Sequence, residues 1–231
     1  MQLIQLNPAD PRQAFPPVHR ALLDPDGLLA VGGCLSPPRL LNAYRHGVFP
    51  WFNPGEPILW WSPNPRLVLF PEQLHISHSL AKTLRKKSLT ITIDHRFTDV
   101  MRACAEPRAY AAGTWISDDM LNAYQRLHQM GFAHSIEAWQ QEQLVGGLYG
   151  VAIGQVFFGE SMFHTVTDAS KIVFAHLVQQ LKAWNYQLID CQIHTPHLSS
   201  LGAQNIDRQQ FIAHLNRYCA LAAHPSAWKT A

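Results

Sequence analysis

The 231-residue chain reads as an α+β fold, and three observations predict it. First, Ser135 to Trp139, Leu144 to Ile153 and Val156 to Glu160 are strand-like runs. Gln140-Gln141-Glu142 and Gly154-Gln155 separate them, which is the turn chemistry of an antiparallel meander. Second, Asp168 to Trp184 carries apolar residues at helical spacing (Ile172, Ala175, Val178, or Val173, Leu177, Leu181) and leads into another strand, Tyr186 to Ile193. Third, the second half orders as β-α-(α)-β-β-β-α-β-α, a meander joined by a crossover helix to a neighbouring strand.

The remaining elements follow in order. Phe15-Pro16-Pro17 and Asp24-Pro25-Asp26-Gly27 are turns, and Leu28 to Val31 is a short apolar run ended by Gly32-Gly33. Ser36-Pro37 and Gly47 bracket a helix over roughly 37–46, with Ser36 as its N-cap. Three tryptophans then fall within eleven residues, Trp51, Trp60 and Trp61. Core packing is the commoner use of such a cluster, but the prolines around it predict a rigid loop with its aromatics hard to hide. Pro63-Asn64-Pro65 predicts a boundary between a small N-terminal unit, 1–62, and a larger one, 63–231. Beyond it come a strand at Leu67 to Phe70, a helix over 77–87, a strand at Leu89 to Ile93 and a short helix around 97–104. A helix capped by Ser117 ends at Gly131, and a last helix opens at Asp207.

Composition excludes several classes. A hydrophobic content of 47% against 15% charged residues fits a globular chain with a sizeable core, and a formal charge of +2 does not by itself imply nucleic acid. Cys34, Cys104, Cys191 and Cys219 show neither disulfide nor metal-ligand spacing, which predicts a reducing cytoplasm. The N-terminus is not signal-like, and no apolar run approaches the ~20 residues that span a bilayer. His75/His78 and His194/His197 are each spaced by three without a third ligand. Ser161 lies outside a G-x-S-x-G frame, and Gly146-Gly147-Leu148-Tyr149-Gly150 has no helix after it, so close backbone approach or a bulge is expected there.

Leu188-Ile189-Asp190-Cys191-Gln192-Ile193 survives this pruning. A two-residue period puts Ile189, Cys191 and Ile193 on one face and Leu188, Asp190 and Gln192 on the other. Asp190 and Gln192 then stand side by side about 7 Å apart at Cα. A buried carboxylate must be paired or hydrogen-bonded, so the pair is a satisfied polar network or a reaction centre. Glu160, with Leu148, Phe157, Phe158, Met162 and Phe163 around it, would supply an apolar pocket beside the pair; plain core is the other reading. Lys82, Arg85, Lys86 and Lys87 crowd one helix end, ordinarily a solvated feature.

Gly32-Gly33 with Leu35-Ser36-Pro37, Tyr44 to Phe52, Ile58 to Pro63 and Gly113-Thr114-Trp115-Ile116 resemble the leucyl/phenylalanyl-tRNA–protein transferases. So do His134 to Glu137, Leu144 to Gly147, Phe158 to Phe163 and Leu188 to Gln192. The resemblance runs from about Phe15 to Tyr218 and implies a small N-terminal α/β domain plus a C-terminal acyltransferase domain of the GNAT type, with a mainly antiparallel central sheet.

It further implies transfer of Leu or Phe, less readily Met, from aminoacyl-tRNA to proteins with N-terminal Arg or Lys. The product is thereby marked for degradation, without metal or coenzyme. Asp190, Gln192 and Glu160 would be catalytic, with Asp190 orienting Gln192, Gln192 accepting a hydrogen bond from the attacking amine, and Glu160 orienting the substrates by attracting the cationic N-terminal Arg or Lys side chain or the amine itself. Leu148, Phe157 and Met162 would hold the amino-acid side chain. Trp51 and Trp115 would contact the terminal adenosine with Tyr44 nearby, and Lys82, Arg85, Lys86 and Lys87 would face tRNA phosphates. A monomer is expected. His164-Thr165 departs from the family's frequent Ser-Arg, and Leu148 stands where methionine is common. The rival readings are a CoA-dependent N-acetyltransferase, for which no Q/R-x-x-G-x-G/A loop precedes Asp168, and a non-catalytic tRNA- or peptide-binding module.

Overall fold

The computed structural model describes residues 3–106 and 114–229, so Gly113 lies outside the described residues. The N-terminal elements are β1 (Ile4–Leu6), β2 (Leu28–Gly32), α1 (Pro37–Arg45), β3 (Phe49–Pro50) and β4 (Leu59–Trp61). They are followed by β5 (Arg66–Leu69), α2 (His78–Lys86), β6 (Thr90–Ile93), α3 (Phe97–Ala105) and α4 (Asp118–Gln129). The meander is β7 (Ala133–Gln140), β8 (Gln143–Ile153) and β9 (Val156–His164). It leads through α5 (Ala169–Ala183) to β10 (Leu188–Gln192), α6 (Pro196–Ser200), β11 (Gln204–Ile206) and α7 (Arg208–Tyr218).

Among the described residues the strands form two sheets, ordered β1-β2-β4-β3 and β11-β5-β10-β9-β8-β7-β6. The larger is antiparallel except where β9 and β10 run parallel. A parallel pair needs a long crossover, and α5 is that connection. The mixed, mainly antiparallel sheet makes the fold α+β.

Local chemistry explains several boundaries. The side chains of Ser77, Ser117 and Asp207 accept from the backbone N–H groups of Leu80, Met120 and Gln209, capping α2, α4 and α7. Ser36 precedes α1 without capping it; its hydroxyl instead contacts Cys34, and Pro37 alone sets the helix start. The bulge expected in the glycine-rich strand occurs at Tyr149/Gly150, where a Cβ on Gly150 would collide with the carbonyl of Phe158.

Two expectations are corrected. Trp60 and Trp61 lie on β4, paired with β3, rather than in a loop, and Trp60 is fully buried, donating to the Gly32 carbonyl, while Trp51 lies in the connection 51–58 and is 43% exposed. Strand β10 does not divide into an apolar and a polar face. The large sheet is covered on both sides, so Leu188 packs with Tyr124 and Phe158 in one core cluster and Ile189 with Phe157 and Ile172 in the other. Alternation then stops at a bulge. Asp190 and Gln192 pair with the consecutive residues Val68 and Leu67, and Gln192 takes φ +62°.

Candidate active site

Asp190 is fully buried at the centre of the large sheet. On the neighbouring strand, Arg66 donates to it through Nε (2.8 Å) and Nη2 (2.7 Å), a bidentate fork. Arg66 itself is sandwiched between the rings of Phe49 and Phe211, each 4.7 Å from its guanidinium carbon, and donates to the Gly47 carbonyl. Asp190 Oδ1 also accepts from the backbone N–H of Gln192 at 2.9 Å. The aspartate therefore reaches Gln192 through the main chain, holding the bulge that turns the glutamine side chain out of the strand.

Gln192 Nε2 donates to Glu160 Oε1 at 2.9 Å. Tyr44 from α1 hydrogen-bonds the same oxygen (2.8 Å) and Tyr124 from α4 hydrogen-bonds Oε2 (2.9 Å), while the two phenols also hydrogen-bond each other. Burial pushes the Glu160 carboxyl up to about 8; its hydrogen bonds with Tyr44 and Tyr124 oppose this, the nearby Asp190 adds to it and the bond with Gln192 again opposes it. Burial, first, and then the charge of Glu160 push both phenols well above their ordinary range. Burial also raises the Cys191 thiol, with Asp190 adding to the effect, so no thiolate nucleophile is offered from this strand.

These groups border a cavity of about 300 Å³ between the ends of β9 and β10. Glu160, Asp190 and Gln192 line it together with Leu148, Phe157, Met162 and Trp115. An apolar chamber with a few convergent polar groups suits a small apolar side chain attached to a polar backbone. Seven of the residues picked out from the sequence thus meet around one space.

The others lie elsewhere. Tyr44 is completely buried, so it acts on the cavity through Glu160 rather than by offering a ring face to a base. Trp51 sits on the N-terminal hairpin, its ring 5.7 Å from that of Trp61. Lys82, Arg85, Lys86 and Lys87 are exposed on and just after α2, which packs on α5 outside the cavity lining. Two residues of the site escape sequence reading. Arg66 opens an apolar strand, where only the pairing of β5 with β10 gives its partner, and Tyr124 shares the buried face of α4 with Met120 and Leu127.

No group of three metal-ligating side chains occurs among the described residues, which include both histidine pairs. No helix among them is long and apolar enough to cross a membrane.

A family model described as leucyl/phenylalanyl-tRNA protein transferase matches residues 68–216, and the model of the corresponding N-terminal domain matches 33–64. The leucyl/phenylalanyl-tRNA–protein transferase of Nitrosomonas europaea is 60% identical over 214 residues, which is 93% of this chain and 91% of that protein. That of Methylococcus capsulatus is 56% identical over 229 residues, 99% of this chain and 97% of its own. Among solved structures, L-PGS from Bacillus licheniformis aligns at 11% identity and a TM-score of 0.42, covering 71% of this chain and 55% of that one.

Proposed function

The chain belongs to the leucyl/phenylalanyl-tRNA–protein transferase family and is an aminoacyltransferase acting between aminoacyl-tRNA and proteins; from that premise we propose the chemistry of its site. It moves Leu or Phe, and Met less readily, to the α-amine of proteins beginning with Arg or Lys, marking them for degradation in the cytoplasm. The chain works as a monomer of two units, 1–62 and 63–231. The observation that carries this reading is the juxtaposition of the Gln192 carboxamide with an apolar cavity of about 300 Å³.

The chemistry needs modest equipment. The donor ester is already activated, and the acceptor α-amine has an ordinary pKa of about 7.7–8.0, so a useful share is neutral near pH 7. Holding amine and ester in line supplies much of the acceleration. Gln192 has its Nε2 committed to Glu160, which leaves its carbonyl oxygen to accept a hydrogen bond from the N–H of the attacking amine as the proton leaves. Asp190 serves by fixing the backbone of Gln192, and Glu160 by holding its side chain.

Leu148, Phe157 and Met162 receive a donor side chain unbranched at Cβ; a branched one crowds the mouth, so selection is steric. Trp115 at the cavity and exposed Trp51 offer stacking faces to the terminal adenosine. Lys82, Arg85, Lys86 and Lys87 contact acceptor-stem phosphates, which position RNA without reading its sequence. The test is transfer of labelled leucine from leucyl-tRNA to a peptide beginning with Arg. Transfer to that peptide, and not to one beginning with Asp, supports the reading; no transfer to either removes it.

A further inference from the structure

The Glu160 cluster contains more contacts than a carboxylate can satisfy. Three oxygen–oxygen contacts close a ring: Tyr44 to Glu160 Oε1, Tyr124 to Glu160 Oε2, and Tyr44 to Tyr124. Each needs one proton, and two phenols supply two. Gln192 Nε2 brings its own proton to Oε1 and contributes none to the ring. The missing proton has one available carrier, the carboxyl group.

We propose that Glu160 carries a proton in the resting enzyme and closes a hydrogen-bonded ring with Tyr124 and Tyr44 that fixes the carboxamide of Gln192. In that ring the carboxyl O–H on Oε2 donates to Tyr124, Tyr124 donates to Tyr44, and Tyr44 donates back to Oε1. Every contact is filled, and Oε1 still accepts from Gln192. The titratable groups facing Glu160 are Tyr44 on α1, Tyr124 on α4, Tyr149 on β8 and Asp190 on β10. The phenols remain neutral, and Arg66 already pairs with Asp190, so among the described residues of this cluster no cation is left to hold Glu160 ionised.

The ring has a consequence for the transfer reaction, and this part rests on the proposed function. An ionised carboxylate at the cavity would favour a substrate amine as ammonium, which cannot attack an ester. A neutral ring imposes no such bias while still aiming Gln192. Glu160 is then a positioning residue, needed for its shape and hydrogen bonds rather than its charge.

Infrared difference spectra between the wild type and Glu160→Gln test the proton directly. A protonated-carboxyl band at pH 6.5 is expected, absent from the variant and titrating with a midpoint near 8. Tyr124→Phe removes the acceptor of the carboxyl proton and should shift that band; a band that is missing, or unmoved by Tyr124→Phe, overturns the ring. In single-turnover transfer, Glu160→Ala should lose about a hundredfold. Glu160→Gln should recover most of that loss, because its amide donates to Tyr124 and its carbonyl accepts from Tyr44 and Gln192. Equal loss in both variants would show that the charge is required. The spectra need no tRNA, so failure of the ring and failure of the transferase reading are separately visible.

Discussion

Two carboxyl groups lie beside each other at the ends of β9 and β10, and their surroundings differ in kind. Asp190 is wrapped by a guanidinium that is itself clamped between Phe49 and Phe211, and every contact on it is a donor. Glu160 is wrapped by two phenols and a carboxamide, groups that are themselves neutral. A buried carboxylate beside a fixed cation is locked in charge and place. A part-buried carboxyl among phenols has its proton set by its surroundings, and it borders the cavity. The first arrangement builds the strand that presents Gln192; the second aims its side chain.

The largest expected effect breaks the Asp190 side. Arg66→Ala strands a buried carboxylate and should lower stability by about 3–5 kcal/mol in denaturant unfolding. A loss below about 1 kcal/mol would mean that the pair is not holding the strand. Tyr124→Phe acts on the other side and removes a hydrogen-bond partner from the ring, which should cost about 1–3 kcal/mol.

The two sides also part in their response to pH. Glu160 has its folded pKa raised from 4.5 to about 8, so the folded state keeps a proton that the unfolded chain releases. Its contribution is fully present below about 4.5, declines as pH rises and is lost above about 8. Denaturant midpoints of the wild type relative to Glu160→Gln should therefore fall across that window. A flat difference would remove the raised pKa. The smallest effect in stability lies far from both carboxyls. Replacing Lys82 or Lys86 by Ala should change stability by less than about 0.5 kcal/mol, while lowering the salt slope of tRNA binding by about one per lost phosphate contact. An unchanged slope would take α2 out of the RNA interface.

The parts of this comparison that the sequence exposes are those set by local chemistry. The caps at Ser77, Ser117 and Asp207, the meander turns and the apolar faces of α4 and α5 depend on neighbours within a few residues. Leu148, Phe157, Met162, Glu160 and Gln192 could be gathered because β8, β9 and β10 are adjacent through short turns or one crossover. Arg66 could not, since its partner is 124 residues away and follows only from the antiparallel register of β5 on β10. Tyr124 looks like ordinary core on its helix; its hydroxyl becomes informative only when α1 delivers Tyr44 beside it. The bulge at Gln192 overrides strand alternation, so simple periodicity places Asp190 and Gln192 on one face while the structure gives them different surroundings. Short elements such as β1, α6 and β11 carry too few residues to show a period.

The central claim is the division between a residue that builds the site and one that works in it. It is tested most directly by single-turnover transfer of leucine from leucyl-tRNA to an Arg-starting peptide, with unfolding measured on the same preparations. Gln192→Ala should transfer about a hundredfold more slowly than the wild type, with stability changed by less than about 1 kcal/mol, whereas Asp190→Ala should lose stability by about 3–5 kcal/mol. Wild-type transfer by Gln192→Ala, or an Asp190→Ala protein as stable as the wild type, would contradict the account.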